Sequence, residues 1–297
     1  MKVKFVLALG LLLLGSPAHA DVAEGEVAYR AGDYGAALAM FQPLAEGGDP
    51  AAQYWLGRLY DSGHGVQSDP KEALKWFEAA AVQGHAEAQR VVGIYYEEGK
   101  VVPQDYGEAY RWYERSAEQG NDKAMRNLAT LYQNGWGVPA DPERAAELYG
   151  EAADLGNEKA KRNLAYLYYF GAGVPQDFEK AAELFQQTAS AGIGRAEFDL
   201  GRLYYRGQGV EQDYAKAAEL FEIAAGQAHG RAQVFLGRMY YLGEGVPKDY
   251  VRSYAWLILA EPQEPESAGY FLAKLRDAMS AEQLAEAKSL AAAFRPN

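Results

Sequence analysis

The stretch Glu158–Ile193, EKAKRNLAYLYYFGAGVPQDFEKAAELFQQTASAGI, decides the fold because it is one copy of a unit that recurs every 36 residues. Gap-free copies run from about Asp49 to about Glu264, and a strict period of this size is typical of solenoids. Each copy keeps an aliphatic residue, a tyrosine and an aspartate at fixed positions. These residues are Leu56, Val92, Leu128, Leu164, Leu200 and Leu236; Tyr60, Tyr96, Tyr132, Tyr168, Tyr204 and Tyr240; and Asp69, Asp105, Asp141, Asp177, Asp213 and Asp249.

Each unit predicts two helices joined by a glycine-rich loop. In the quoted copy, Ala160, Leu164 and Tyr168 fall on one helical face, and the segment Gly171–Gly173 ends that helix. Asp177 stands where the second helix needs an N-cap that accepts hydrogen bonds from free backbone N–H groups. One hairpin cannot bury its apolar face alone, so neighbouring hairpins must stack. The sequence therefore predicts an all-α fold of helix-turn-helix repeats.

The second helices of two copies carry a further start signal. Asp69 with Glu72, and Asp105 with Glu108, have the spacing of an aspartate-headed capping box. We therefore expect each aspartate to cap its helix and each glutamate to reach back to the cap.

The repeat resembles a known family. Its pattern is A-x-x-x-L-G-x-x-Y-x-x-G-x-G-V-x-x-D-x-x-x-A, which the copy beginning at Ala232 shows as AQVFLGRMYYLGEGVPKDYVRS. This pattern is similar to the Sel1-like repeat family, which is related to tetratricopeptide repeats, and the resemblance implies a right-handed α-solenoid. Departures are few: Val101 replaces the second loop glycine, and Ala129 and Ala165 replace the helix glycine.

The sequence divides into four parts. Residues 1–20 read as a signal peptide, 21–48 as a degenerate N-terminal repeat, 49–264 as six repeats and 265–297 as a C-terminal helical cap. In the cap, a helix is predicted from Glu266 to Met279. Ser280 and Gln283 form a capping box for a last helix that ends near Phe294. An alternative is that this end docks a partner.

The N-terminal segment has the three parts of a secretory signal. Lys2 and Lys4 give a basic start, Phe5–Leu14 is an apolar core too short to span a bilayer, and Ala18–Ala20 is a cleavage motif. We therefore expect an exported protein, periplasmic or secreted, that is soluble after cleavage near Ala20 and has no transmembrane segment. The alternative is a first core helix, but this segment does not follow the repeat register.

Composition excludes several classes of function. The chain has no cysteine, so its stability must come from packing and not from disulfides. Its net charge is −12, and loss of the signal peptide lowers the lysines and arginines from 29 to 27 against 41 acidic residues, which gives about −14. This charge argues against binding to nucleic acids or to anionic membranes.

No catalytic or metal-binding pattern emerges. Ser68–Lys71 matches the S-x-x-K motif of serine β-lactamases, but the companion motifs are missing and the segment straddles a repeat loop. His64, His85 and His229 have no metal-ligand spacing, and the last two fall in one inter-repeat slot that suits surface helix caps. We therefore predict that the protein is not an enzyme and uses no cofactor or metal.

A binding groove is implied by the resemblance, since the first helices line the concave face in tetratricopeptide solenoids. Arg90, Arg126 and Arg162 would form a ladder along it, beside aromatic residues, and arginine with aromatics is the usual make-up of interaction hot spots. The alternative is that these arginines pair with neighbouring acidic residues. The predicted ligand-binding residues are Arg90, Arg126, Arg162, Lys123, Lys159, Arg195, Arg202, Tyr166, Tyr169 and Tyr205.

The predicted function is a non-enzymatic scaffold that holds an acidic protein partner in the bacterial cell envelope. The alternatives are direct binding of an anionic polysaccharide or of peptidoglycan, and a secreted factor that interacts with a host. A narrower alternative is a carboxylate clamp similar to that of co-chaperone repeats, formed by the Lys, Arg and Asn residues of two segments. These residues are Lys123, Arg126 and Asn127, and Lys159, Arg162 and Asn163.

Overall fold

The computed structural model describes residues 17–190 and 194–294, and the regular secondary structure in those ranges is entirely α-helical. The all-α prediction is therefore confirmed. The basic start and apolar core of the predicted signal peptide, within Met1–Ser16, lie outside the described residues. The predicted cleavage motif, Ala18–Ala20, falls within the first helix, which begins at Pro17.

The helices follow the 36-residue period of the sequence. They are α1 (Pro17–Arg30), α2 (Tyr34–Glu46), α3 (Pro50–Ser62), α4 (Pro70–Val82), α5 (Ala86–Glu98), α6 (Tyr106–Glu118), α7 (Asp122–Asn134), α8 (Pro142–Asp154), α9 (Glu158–Phe170), α10 (Phe178–Ser190), α11 (Gly194–Arg206), α12 (Tyr214–Gly226), α13 (Gly230–Leu242), α14 (Tyr250–Ala260), α15 (Pro265–Ala278) and α16 (Ala281–Phe294). The odd-numbered helices α3 to α13 are the first helices of the repeats, and the even-numbered helices α4 to α14 are the second.

The described residues form two compact units. Unit 1 contains the residues up to Leu131 together with Trp136–Pro139. Unit 2 contains Tyr132–Gly135 and the residues from Ala140 onward. Each unit is built from helical hairpins packed side by side.

In every repeat, a backbone hydrogen bond joins the repeated tyrosine to the repeated N-cap aspartate. The N–H of each N-cap aspartate donates to the carbonyl of the tyrosine nine positions earlier, as in Asp69 to Tyr60 (2.9 Å) and Asp213 to Tyr204 (3.0 Å). Asp69 also caps α4, since its carboxylate accepts from the N–H groups of Lys71 and Glu72. Asp69 therefore both holds the loop against the first helix and caps the start of the second helix.

Of the capping boxes expected at the starts of α4 and α6, only the aspartate cap forms. Because the N–H of Asp69 donates to Tyr60, it is not available to Glu72, whose carboxylate instead pairs with Lys75 at 2.6 Å. The N–H of Asp105 likewise donates to Tyr96, and Glu108 pairs with Arg111. The expectation that the glutamates reach back was therefore wrong, while the aspartate caps are confirmed.

Large side chains at one position of the second helices form the core. Six fully buried rings occupy this position, and small residues on the first helices lie against them. For example, a Cβ at Gly57 would be 2.8 Å from the ring of Phe77. Leu164 is only partly buried, in contrast to Leu200 in the same position, which is 1% exposed. The six rings are Phe41, Phe77, Tyr113, Tyr149, Phe185 and Phe221.

The second loop glycine allows each repeat to contact the start of the preceding second helix. Gly173 has a φ of +74°, and a Cβ there would lie 2.0 Å from the carbonyl oxygen of Pro142. Gly209 makes the same close approach to Phe178, at 2.1 Å. Only glycine allows both the backbone conformation and this contact. Val101 is the one exception among the six loops.

The two ends of the described chain are packed as helices. At the N-terminus, α1 and α2 form a hairpin with a tight turn at residues 31–33. At the C-terminus, the capping box is confirmed: the N–H of Ser280 donates to Gln283 Oε1 (3.0 Å), and the N–H of Gln283 donates to Ser280 Oγ (3.3 Å). The ring of Phe294 stacks on Trp256 with centroids 4.3 Å apart.

Candidate functional site

The first helices begin with a side-chain cap in the inter-repeat slot. His85 Nδ1 accepts a hydrogen bond from the N–H of Ala88 (3.1 Å), and His229 Nδ1 accepts from Ala232 (3.2 Å). The expectation that these histidines are helix caps is confirmed. They are not freely exposed, however, since His85 stacks on the ring of Tyr54 at 4.8 Å and burial lowers its pKa.

A cavity of about 710 Å³ opens in unit 1 beside α3 and α5. Apolar residues, including Phe77, Ile94 and Val101, line part of it, and Arg58, Asp61, Glu87, Arg90 and Lys123 bring charge of both signs. Two of the predicted ligand-binding residues, Arg90 and Lys123, therefore lie in one cavity.

Glu87 neutralises the predicted arginine at the start of the ladder. Arg90 donates from Nε (3.1 Å) and Nη2 (2.8 Å) to the Glu87 carboxylate, which also accepts from Asn121 (2.8 Å) and lies 3.5 Å from Lys123. Burial alone would raise the pKa of Glu87, but the hydrogen bonds from Arg90 and Asn121 outweigh it and lower the pKa to about 2. At Arg90, the structure therefore shows the pairing that the sequence left open as the alternative.

Arg58 occupies a different environment in the same cavity. Its guanidinium lies over the rings of Tyr29, Tyr54 and Trp55 at 5.7, 5.9 and 5.6 Å, and Nη1 donates to the Tyr54 hydroxyl at 3.0 Å. No carboxylate of the described residues lies within ion-pair distance of it. Arg58 is therefore a cation held in place by aromatic rings.

Asp61 stands one helical turn beyond Arg58 and turns towards the next repeat. Its carboxylate accepts a hydrogen bond from the Tyr95 hydroxyl at 2.6 Å, and no cation of the described residues pairs with it. Burial, followed by this hydrogen bond, raises the pKa of Tyr95, so the tyrosine stays a donor.

In unit 2, arginines and aromatic rings meet on α11 and α13. Arg202 lies over the rings of Tyr169 (5.6 Å) and Phe198 (5.8 Å), and it is 3.8 Å from the carboxylate of Asp199. Arg202 and Arg206 both donate to the hydroxyl of Tyr169, at 3.3 and 3.2 Å. One side chain thus positions two guanidinium groups.

A cavity of about 370 Å³ adjoins these arginines. Arg202, Arg206 and Arg231 line it together with Phe198 and Phe235. Arg231 is 3.4 Å from Glu264, but Arg206 has no carboxylate partner among the described residues.

The predicted tyrosines of unit 2 serve as donors to carboxylates or as supports for arginines. The Tyr166 hydroxyl donates to Asp199, and the Tyr205 hydroxyl donates to Glu244 at 2.5 Å. Burial and this second hydrogen bond raise the pKa of Tyr205 to about 12. Arg238 lies over the Tyr205 ring at 5.5 Å, and no described carboxylate pairs with it.

The remaining predicted residues are divided between the units. Arg126 donates to Asn127 at 2.8 Å in unit 1, which engages two members of the suggested carboxylate clamp with each other. In unit 2, Lys159 is exposed, and the buried Nε of half-buried Arg162 has no hydrogen-bond partner among the described residues. The side chain of Arg195 lies outside the described part of the chain.

The predicted ligand-binding residues do not include Arg58, Arg206 and Arg238, although Arg58 and Arg238 fall in the same repeat position as the predicted Tyr166 and Arg202. The sequence does contain a difference between these arginines and the predicted ones. Arg90 and Arg202 each stand three positions after an acidic residue, and this spacing favours an ion pair on one helix. Arg58, Arg206 and Arg238 instead stand three positions after Trp55, Leu203 and Phe235. For these five arginines, the residue three positions earlier distinguishes those that pair on their own helix from those that do not.

The described part of the chain contains no cluster of three or more His, Cys, Asp or Glu side chains that could hold a metal ion. No helix in the described ranges is long and apolar enough to cross a membrane.

The fold and the first-helix faces define a helix-turn-helix repeat protein. A Sel1 repeat model matches residues 50–85, 86–121, 122–157, 159–193, 194–229 and 230–261. The matches cover more than half of the chain, so the protein belongs to the Sel1 repeat family. Repeats of this family generally serve as protein-interaction scaffolds.

Solved structures give the same assignment. The chain is similar to a Sel1 repeat protein from Oxalobacter formigenes, with a TM-score of 0.74 and 30% identity over 81% of this chain and 96% of that one. It is also similar to c5321, a protective antigen of uropathogenic Escherichia coli that displays an SLR fold, with a TM-score of 0.50 and 26% identity over 93% and 84% of the two chains. No curated protein matches the chain.

Proposed function

We propose that this Sel1 repeat protein is a non-enzymatic scaffold that binds an acidic segment of a partner protein on the α11–α13 face of unit 2. The observation that carries the proposal is the state of Arg206 and Arg238. Both contact a tyrosine, and neither has a carboxylate partner among the described residues. In a chain with a net charge of −12, such arginines are available to a carboxylate from outside.

The aromatic contacts make these arginines better binding groups. An arginine side chain loses rotamer freedom when it binds, and this loss weakens the complex. Tyr169 holds Arg202 and Arg206, and Tyr205 supports Arg238, so part of that loss has occurred before the partner arrives. Each guanidinium can then donate two parallel hydrogen bonds to one carboxylate.

The face also offers apolar contact. Phe170 is 65% exposed and Leu242 is 45% exposed, and they occupy the same repeat position as Arg206, at the ends of α9 and α13. A segment with alternating acidic and apolar side chains suits such a surface. Lys159 and Arg162 on α9 belong to the same proposed surface, whereas Arg90 is already neutralised in unit 1.

We place the partner in the bacterial envelope. The support is the signal-peptide pattern of residues 1–20, with its basic start, short apolar core and Ala18–Ala20 motif. Export is tested by comparing the N-terminal residue of the protein recovered from periplasm with that of the cytoplasmic precursor. A mature N-terminus near Asp21 supports the proposal, and an uncleaved protein in the cytoplasm contradicts it.

Binding is tested with a labelled peptide of about twelve residues that alternates glutamate and leucine. Replacing both arginines, Arg206→Gln and Arg238→Gln, should weaken binding at least tenfold, which is about 1.4 kcal/mol. Arg144→Gln is the matched control, because Arg144 lies on α8 of unit 2 and already pairs with Glu147 at 2.7 Å. It should leave the affinity within twofold.

Two further ligands decide the class of partner. The same peptide with glutamine in place of glutamate should not bind. An anionic polysaccharide such as polygalacturonate tests the glycan alternative. If the polysaccharide binds and the acidic peptide does not, or if neither binds, the proposal of an acidic protein segment is wrong.

A further inference from the structure

The cavity of unit 1 arises at the one loop that departs from the repeat pattern. At the equivalent loop glycines, such as Gly65 and Gly137, a Cβ would come within 2.8 and 2.4 Å of the preceding second helix. The side chain of Val101 therefore prevents this loop from lying as close to the start of α4. Val101 and Pro70, the first residue of α4, both line the cavity of about 710 Å³.

The cavity presents two opposite charges that the described protein leaves without ionic partners. Arg58 is enclosed by the rings of Tyr29, Tyr54 and Trp55, and the carboxylate of Asp61 accepts only from the Tyr95 hydroxyl. The two residues are three positions apart on α3, where side chains start about 5–6 Å from each other. Because they turn towards different repeats, they do not pair with each other.

The other charged groups of the cavity are already in ion pairs, and Arg90 and Lys123 share the carboxylate of Glu87. Glu87 is bound by Arg90 and Asn121, and Glu98 lies 2.9 Å from Lys100. A ligand would therefore meet Arg58 and Asp61, which have no ionic partner among the described residues, and an apolar wall that includes Ile94 and Phe77.

We propose that this cavity binds a short zwitterionic peptide of two or three residues. Its terminal carboxylate pairs with Arg58, and its terminal ammonium group pairs with Asp61. The apolar wall accepts a side chain of the peptide. Two to three extended residues span about 7–10 Å, which suits two diverging side chains that begin one helical turn apart. The cavity volume lies within the range of small-ligand sites.

The proposal is tested by titrating the whole protein with alanyl-leucyl-alanine and following heat and the indole NMR signal of Trp55. The free tripeptide should bind, whereas its C-terminal amide and its N-acetyl form should each bind at least tenfold more weakly. A shift of the Trp55 signal is expected because its ring lies 5.6 Å from the Arg58 guanidinium.

Variants assign each end of the peptide. In Arg58→Gln, the free tripeptide and its C-terminal amide should bind equally weakly. In Asp61→Asn, the free tripeptide and its N-acetyl form should bind equally weakly. Arg115→Gln is the matched control, since Arg115 also lies over a ring, that of Trp112 at 4.9 Å, but outside the cavity. It should leave tripeptide binding unchanged.

A third variant tests the origin of the cavity without removing a charge. Val101→Gly restores the glycine of the other loops, lets the loop approach α4 and should weaken tripeptide binding at least fivefold. Thermal melting confirms that each variant is folded. Absence of tripeptide binding at millimolar concentration, or equal binding of the free and amidated peptides to the unaltered protein, would overturn the proposal.

Discussion

Replacement of Gly173 by alanine should destabilise the protein by an amount that the structure sets. Gly173 has a φ of +74°, which costs a residue with a side chain about 1–2 kcal/mol. The new Cβ would also lie 2.0 Å from the Pro142 oxygen, whereas ordinary van der Waals contact begins at 3.4 Å. The loop must therefore move by more than about 1 Å, and overpacking of this kind costs about 1–3 kcal/mol. We expect a total loss of about 2–5 kcal/mol.

Gly156→Ala provides the matched control for this experiment. Gly156 also lies in unit 2 and has a φ of +90°, but a Cβ there would meet nothing within 4 Å. This variant should lose only the backbone contribution of about 1–2 kcal/mol.

The assay is urea unfolding followed by far-UV circular dichroism, with both variants measured beside the unaltered protein. A further loss of about 1–3 kcal/mol in Gly173→Ala isolates the contact between a loop and the preceding repeat. If Gly173→Ala is no less stable than Gly156→Ala, the loop glycines do not fix the packing of neighbouring repeats.

Three other predictions test separate parts of the structure. Leu200→Ala should cost about 2–5 kcal/mol and Leu164→Ala clearly less, because Leu200 is fully buried and Leu164 only partly buried. Equal losses of stability in urea unfolding would mean that the packed face is misplaced. Ser280→Ala should cost about 0.5–2 kcal/mol by removing the cap of α16, and unchanged stability would show that this cap contributes nothing. The lowered pKa of Glu87, about 2 against an ordinary 4.5, gives stability that is fully present above pH 4.5 and is lost as the pH falls towards 2. This contribution to the free energy of unfolding is at most about 3 kcal/mol. Glu87→Gln should therefore make the free energy of unfolding depend less steeply on pH below 4.5. An equally steep dependence in the variant would show that Glu87 does not contribute.

The repeat pattern predicted the helices well because the same few residues start and end each one. Asp177 caps α10 and Gly171 ends α9 with a φ of +69°, as expected from residue type alone. The capping boxes failed at Asp69 and Asp105 because a backbone bond to a distant tyrosine competes for the same N–H group, and local spacing does not reveal that bond.

The candidate sites were only partly predictable. The sequence placed arginines and aromatic residues on the first helices, but the pairing of each arginine depends on how its side chain turns. Arg90 pairs with Glu87 on its own helix, whereas Arg58 lies over Tyr29 of the preceding hairpin and over two rings of its own helix. The departure at Val101 was visible in the sequence, but the cavity beside it depends on how close the loop comes to α4.

The most direct test of the account is to locate a bound acidic segment by NMR. A glutamate–leucine peptide that carries a spin label broadens the amide signals of the residues nearest to it. We predict the strongest broadening around Arg202–Arg206 in α11 and around Arg238 in α13. Broadening centred on Arg90 in α5, or spread evenly over the chain, would contradict the claim that the unpaired arginines of unit 2 form the binding surface.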